Sequence, residues 1–293
     1  MRFTEIGQQL RAYRLESGMR AEEIAARLGV SRAALYRYEK GDVIKLDTIQ
    51  RLAEMLKVSP LSLLGIGVEY YSRHVAFFER LRQLEETCDQ ILMLDGPACY
   101  LTTSDTFDSV LAEAFEEAAA GAGNDRAALR SAVEQTQGLL ATRKRQFSIR
   151  RPGIICMVSA ARLQDFVLQG IAPDLALGER TRRQCRLTAV AEVEAMAAFM
   201  DAQPMGLQFG VLAGPEPTGG FVLLRAHDRA NVAINPFRPD ERPDAASGVA
   251  MVTAADEAMA AHQRVAEAQW RDALKGAAGA AKLRELVAAN RPA

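Results

Sequence analysis

Between Ser31 and Lys40 the residues best equipped for chemistry are Arg32, Ala33, Tyr36 and Arg37, spaced so that a helix would place them together on one face. An arginine fork matches the O6 and N7 acceptors of guanine, and an alanine methyl can meet only a thymine methyl. A tyrosine hydroxyl suits a phosphate. The chemistry such a face offers is recognition of duplex DNA through the major groove. For each of these residues the bland alternative is a solvated helix surface.

Bond-making chemistry finds little footing elsewhere. The histidines are His74, His227 and His262, with no H-x-x-x-H pair, and Cys88, Cys99, Cys156 and Cys185 lie far apart with no C-x-x-C. A zinc site is therefore not expected, and the cysteines read as free thiols. A serine peptidase would need a lysine on a strand facing its nucleophile, yet Lys144, Lys275 and Lys282 all fall on expected helices. Gly206-x-x-x-Gly210 lacks the lysine of a phosphate loop, and H-E-x-x-H is absent. The expectation is a protein that is not an enzyme and carries no metal or cofactor.

The elements that must position the face are legible turn by turn. Ile6, Leu10, Tyr13 and Leu15 form a helical stripe that stops at Ser17-Gly18. A second helix runs from about Ala21 to Leu28, with the small Ala25 where two helices cross. Gly29 can take the positive φ of a tight turn, Val30 plugs the core, and Ser31 caps the next helix. That helix, Arg32 to about Lys40, turns Ala34, Leu35 and Tyr38 inward and ends at Gly41. A fourth follows with Asp47 as N-cap, and a last short one begins at Ser59-Pro60, sealed by Leu61, Leu63 and Leu64.

Ile6-Gly7-x-x-Leu10-Arg11-x-x-Arg14, Glu23-Ile24-Ala25, Leu28-Gly29-Val30-Ser31, Leu35-x-x-Tyr38-Glu39-x-Gly41 and Leu52-Ala53-x-x-Leu56-x-Val58-Ser59 together resemble the Xre family, the phage-repressor type of helix-turn-helix. The resemblance implies an internal ion pair between Arg14 and Glu39. It implies base or phosphate contacts at Ser31, Arg32, Ala33, Tyr36 and Arg37, and phosphate contacts at Arg20 and Ala21 where the second helix starts. Lys40 and Lys45 would lie near the DNA backbone. The family often has glutamine where Arg32 and Ala33 stand here, so guanine is expected in the half-site.

Val68 to Leu94 contains neither Pro nor Gly and reads as one connecting helix. Phe77, Leu81, Leu84, Cys88 and Ile91 form a short heptad seam, suited either to pairing with a second copy or to packing on the same subunit. Beyond Asp95-Gly96-Pro97, alternating helix and strand patterns point to an α+β body. Strands are expected at 98–102, 154–158, 207–212, 221–225 and 231–234. Two arginine-rich stretches invite an anionic effector: Arg143 and Arg145 with Gln146, and the group around Cys185. Solvated basic helix faces are the alternative, and Cys185 is either an oxidant sensor or an inert thiol. The run through Arg143-x-Arg145-Gln146, Ile154 to Val158 and Gly220-Phe221-Val222-Leu223-Leu224 resembles the C-terminal domain that follows Xre heads in actinobacterial developmental regulators. That implies a signal-receiving body.

The net charge of −1 conceals a split. Residues 1–65 carry 11 Lys and Arg against 8 Asp and Glu, while the remainder carries 25 against 29. A mildly basic head on an acidic body suits DNA at one end. No apolar run approaches the roughly 20 residues of a membrane span, and Met1 to Leu10 is too charged for a signal peptide, so a cytoplasmic protein is expected.

The expected fold is an all-α five-helix helix-turn-helix domain (1–66), a connecting helix that either dimerises or packs on its own subunit (67–94), and an α+β sensor or dimerisation domain with a small mixed sheet (95–293). The expected function is a transcriptional regulator, by default a repressor, bound as a homodimer to a double-stranded DNA operator and answering to a small-molecule or protein effector. The alternative is a DNA-binding control protein or antitoxin whose body is a protein-interaction platform.

Overall fold

The computed structural model describes residues 3–94, 96–214 and 219–290. Asp95, where the sequence places the start of the body, lies outside them, as do residues 1, 2 and 291–293.

The head comprises α1 (Phe3–Ser17), α2 (Ala21–Leu28), α3 (Arg32–Glu39), α4 (Leu46–Leu56) and the one-turn α5 (Pro60–Leu63). Its punctuation is chemical. Gly29 sits at φ 73° after α2, the Ser31 hydroxyl accepts from the Ala34 amide to start α3, and the Ser59 hydroxyl does the same for Ser62 at α5. Leu10, Ile24, Leu35, Leu52 and Leu63 are fully buried between the helices. At Gly7 the crossing of α1 over α3 is so close that a Cβ would stand 2.4 Å from the Tyr38 carbonyl oxygen. Two details depart from expectation: Lys45, not Asp47, occupies the N-cap of α4, and Leu61 is exposed instead of sealing the bundle.

The single connecting helix over 67–94 does not form. In its place are β1 (Val68–Tyr71), α6 (His74–Glu85) and β2 (Gln90–Leu94). Phe77, Leu81 and Leu84 lie on α6, Cys88 in the following turn and Ile91 on β2, and all five are buried within this chain. Their heptad spacing therefore describes a stripe packed on its own subunit, and no seam is left for a second copy.

The body continues with α7 (Asp105–Ala120), α8 (Arg126–Arg150), β3 (Gly153–Ser159), α9 (Ala160–Gln169), α10 (Glu179–Ala202), β4 (Leu207–Leu212), β5 (Phe221–Arg225), β6 (Ala230–Ile234), β7 (Ala250–Thr253), α11 (Asp256–Asp272), β8 (Leu274–Lys275) and α12 (Gly276–Asn290). The strand expected at 98–102 is a turn of 3-10 helix at Tyr100–Thr102. The sheet is not small: it has eight strands in the order β1-β7-β6-β5-β2-β3-β4-β8. β2, β3 and β4 run parallel, as strands joined by helical crossovers must, and the remaining pairings are antiparallel.

Alternation along β5 shows both faces of the sheet covered. Phe221 and Leu223 pack with Ala266 of α11, while Val222 and Leu224 join the larger core with the other helices. Such strands read as continuous apolar runs because neither face meets water. That larger core also takes in Leu10, Ile24 and Leu35, so head and body share one hydrophobic interior.

The seam between them is polar as well as apolar. Tyr13 of α1 stacks on Tyr71 of β1 with ring centroids 5.5 Å apart. The buried Glu69 carboxylate accepts from Gln9 Nε2 at 2.5 Å, from the Tyr71 hydroxyl at 2.7 Å and from both Nε and Nη2 of Arg80 at 2.8 Å. Gln83 Nε2 donates to the Gln8 carbonyl, and Arg11 pairs with the buried Glu79 at 3.0 Å. Near the end of α1, the Glu16 carboxylate accepts from the amides of Ser72 and Arg73.

Candidate nucleic-acid interface

Leu35 and Glu39 anchor α3 inward, and this leaves Arg32, Ala33, Tyr36 and Arg37 facing solvent together. The base of the helix is fixed by an ion pair to α1: Arg14 Nε and Nη2 donate to the Glu39 carboxylate at 2.5 and 3.1 Å. Burial works against the Arg14 charge, and Glu39 outweighs it, so the guanidinium pKa is raised. The pair acts as a strut that sets the pitch of α3 on the body of the head.

Around this face the helix starts are not all alike. Ser31 and Ser59 cap α3 and α5 with their hydroxyls, whereas Arg20 at α2 and Lys45 at α4 make no side-chain cap. Both are exposed. An uncapped helix start beside a cation combines free amides, the positive end of the helix dipole and a mobile charge. A phosphate is the natural complement.

The expected contact residues divide on this geometry. Ser31, Arg32, Ala33, Tyr36, Arg37, Lys40, Arg20 and Lys45 are all exposed. Ala21 is not: its side chain is buried against the core, so only its backbone amide at the start of α2 is available. The Ser31 hydroxyl is occupied as an acceptor by the α3 cap and retains its proton as a donor.

Arg32 is held by neighbours that spacing alone does not reveal. Its Nη1 lies 2.8 Å from Glu22 Oε1 on α2, its Nη2 donates to the Tyr36 hydroxyl at 3.2 Å, and the guanidinium carbon stands 5.3 Å from the Tyr36 ring centroid. Arg37 pairs loosely with Asp42 at 3.5 Å. Glu22 is the neighbour of Arg32 that the sequence did not single out; an acidic residue in the first turn of α2 was its signal. Val43 and Leu46, flanking Lys45, are also strongly exposed.

In the body, Arg143, Arg145 and Gln146 do not converge. Arg143 is buried and forks onto Glu85 through Nε at 2.8 Å and Nη2 at 2.7 Å. Arg145 points to solvent from another side of α8, and Gln146 is half-buried with Oε1 unpaired among the described residues. Cys185 is buried inside α10, and burial pushes its thiol up to about 11 despite Arg182 nearby, which suits an inert thiol rather than an oxidant sensor. Among the described residues no cluster of His, Cys, Asp and Glu could hold a metal ion, and no helix is long and apolar enough to cross a membrane.

No curated protein and no solved structure matches the chain. Residues 10–63 match the family model described as helix-turn-helix, which supports the Xre-type reading of the head and, with it, a DNA-binding regulator.

Proposed function

We propose that this protein is a sequence-specific transcriptional regulator that binds a double-stranded DNA operator as a homodimer, represses by occupying it, and responds to a signal received by its C-terminal body. The reading assigns it no catalytic step and places it in the cytoplasm. The observation that carries it is the joint exposure of Arg32, Ala33, Tyr36 and Arg37 on α3, flanked by uncapped helix starts at Arg20 and Lys45. A groove-reading helix framed by two phosphate seats is how this head class engages DNA. Dimerisation follows from energetics, since one such head supplies too few contacts for tight specific binding. The resemblance of the body to a signal-receiving domain, and the merging of its core with that of the head, support control from the body.

Selection from a random duplex library tests this. The expected product is a two-fold symmetric site with guanine in each half. Failure to enrich any sequence at physiological salt would sink the regulator reading.

A second reading makes the body a platform for a partner protein. It draws on Tyr70, a large side chain that is exposed on the edge strand β1. Light scattering of the free protein distinguishes the two: a dimer assigns that edge to a second copy, and a monomer leaves it for a partner.

A further inference from the structure

The parallel strands β2 and β3 end at a cleft. Its outer part, about 490 Å³, lies between α9 and the loop that follows β6, and a smaller chamber of about 60 Å³ opens behind it. Phe166, Asn235, Phe237 and Asp240 line both, so the two spaces are neighbours across a shared wall. Ligands of open α/β sheets bind beyond the carboxyl ends of the parallel strands, and the outer volume falls in the range of small-molecule sites.

We propose that this cleft binds a small, uncharged, largely apolar molecule with one hydrogen-bond acceptor, and that α6 conveys its occupancy to the DNA-binding head. The inference rests on the regulator reading and names the site and class of its signal.

The walls define the ligand. Phe78, Leu81, Met93, Phe107 and Val222 give the chamber apolar walls, and its polar groups include Arg143, Asn235, Arg238 and Asp240. Arg143 spends Nε and Nη2 on Glu85, and its Nη1 has no hydrogen-bond partner among the described residues. A carbonyl oxygen placed there would take up a donor that no side chain of the described residues uses. Charge on the ligand is disfavoured, because the two buried-side cations are already matched. Arg143 faces Glu85, while Arg238 lies 2.5 Å from Asp174 and 3.2 Å from Asp240. A carboxylate entering here would lose its water and find no unmatched counter-ion.

The route to the head is a single helix. Phe78 and Leu81 of α6 wall the chamber, and Glu85 on the same side holds Arg143. From its other side, Glu79 and Gln83 reach Arg11 and the Gln8 carbonyl of α1, and Arg80 reaches Gln9 through Glu69. At the start of α6, His74 Nε2 meets Glu241, and its ring lies 4.3 Å from that of Phe237 in the cleft wall. A ligand that moves Phe237 or Phe78 therefore acts on the helix that carries α1.

The test uses the full chain with methyl-labelled Leu, Val and Met, and three probes of one shape: benzamide, benzoate and benzylamine. Benzamide is expected to shift the Leu81, Met93 and Val222 methyls saturably, with a dissociation constant on the order of 1 mM for so small a molecule. The charged probes should bind at least about tenfold more weakly. Val222→Phe, which fills the chamber, should abolish the Leu81 and Met93 shifts. Arg143→Lys keeps a cation beside Glu85 but removes the guanidinium N–H at the Nη1 position, and should weaken benzamide about tenfold. Thermal unfolding shows whether each variant is folded, and the ranking of probes on the wild type does not depend on either. Benzoate binding as tightly as benzamide overturns the uncharged ligand, and no saturable shift with any probe overturns the site. For the relay, saturating benzamide should change affinity for the selected operator by roughly threefold or more in the wild type and not in Val222→Phe; equal affinity overturns it. The methyl shifts are read without DNA, so their absence leaves the operator reading standing, and failure of operator selection leaves the cleft standing.

Discussion

Arg32 Nη1 rests 2.8 Å from Glu22 Oε1, so the side chain best suited to guanine is held in the free protein by a carboxylate from the preceding helix. The contact joins the two helices of the motif across their exposed rim. It orients the guanidinium beside Tyr36, and it sets a negative charge where a phosphate would approach.

Removing Arg32 and removing Glu22 should therefore act in opposite directions. Arg32→Ala is expected to cost about 1–3 kcal/mol at the selected operator and to relax the preference for guanine at one position. Glu22→Gln should tighten binding to random-sequence duplex by about twofold, the scale of one exposed ion pair. Fluorescence anisotropy with both duplexes checks the pair, and weaker binding by Glu22→Gln would contradict the account.

Arg20 and Lys45 should behave differently from Arg32. They stand at uncapped helix starts, and the phosphates proposed to bind there carry no sequence information. Arg20→Ala and Lys45→Ala should each weaken specific and random DNA to the same degree. Each should also lower the slope of log affinity against log salt by about 1. A sequence-selective loss would move the residue from phosphate to base.

The Glu69–Arg80 pair joins head to body in a buried setting. Arg80→Met keeps the volume but strands the Glu69 carboxylate, an outcome expected to cost about 3–5 kcal/mol in urea unfolding. The wild type should unfold in one transition by both far-UV circular dichroism and the fluorescence of Trp270, since the two parts share a core. Separate transitions for α1 to α5 and for the sheet would show that the shared interior does not couple them.

Two neighbouring carboxylates should respond oppositely to pH. Burial opposes the Glu241 charge, but hydrogen bonds from His74 and Ser247 outweigh it and hold its pKa below the usual carboxylate range. Its contribution to stability is thus present above the unfolded pKa of about 4.3 and lost as pH falls through the lower folded value. Burial pushes Asp240 the other way, so its contribution is present below about 3.9 and lost as pH rises through the raised folded value. Glu241→Gln should consequently cost more at about pH 6 than at about pH 3, and Asp240→Asn should gain on the wild type over the same rise. Urea unfolding at both pH values decides it.

The head was readable because its boundaries are local. Gly29, Ser31, Gly41 and Ser59-Pro60 each announce a turn or cap within a few residues, and the outward set on α3 follows from what Leu35 must do. The sequence did not show that the Ala21 side chain packs inward at the start of α2, which leaves only its backbone amide on the outer surface. The stretch from 68 to 94 was opaque for a different reason. β1 pairs only with β7, which arrives about 180 residues later, and β2 lies between β5 and β3 with no Gly or Pro to mark its start. A buried strand, a turn and a helix with apolar residues every three or four positions imitate one amphipathic helix. The grouping of Arg143 with Arg145 was not legible either: the two are close in sequence but face different sides of α8, and the partner that fixes Arg143 is Glu85, on another helix.

The Glu69 junction also bears on how much a target site can vary. Regulators whose heads hang from flexible tethers can follow half-sites that are moved apart. Here Tyr13, Gln9 and Arg11 are clamped to β1 and α6, so in the proposed dimer the two heads would keep one separation and one angle. Inserting a single base pair between half-sites displaces one of them by about 3.4 Å and rotates it by about 35°. Such a protein is a fixed-gauge caliper, and its genomic targets should share a spacer of constant length.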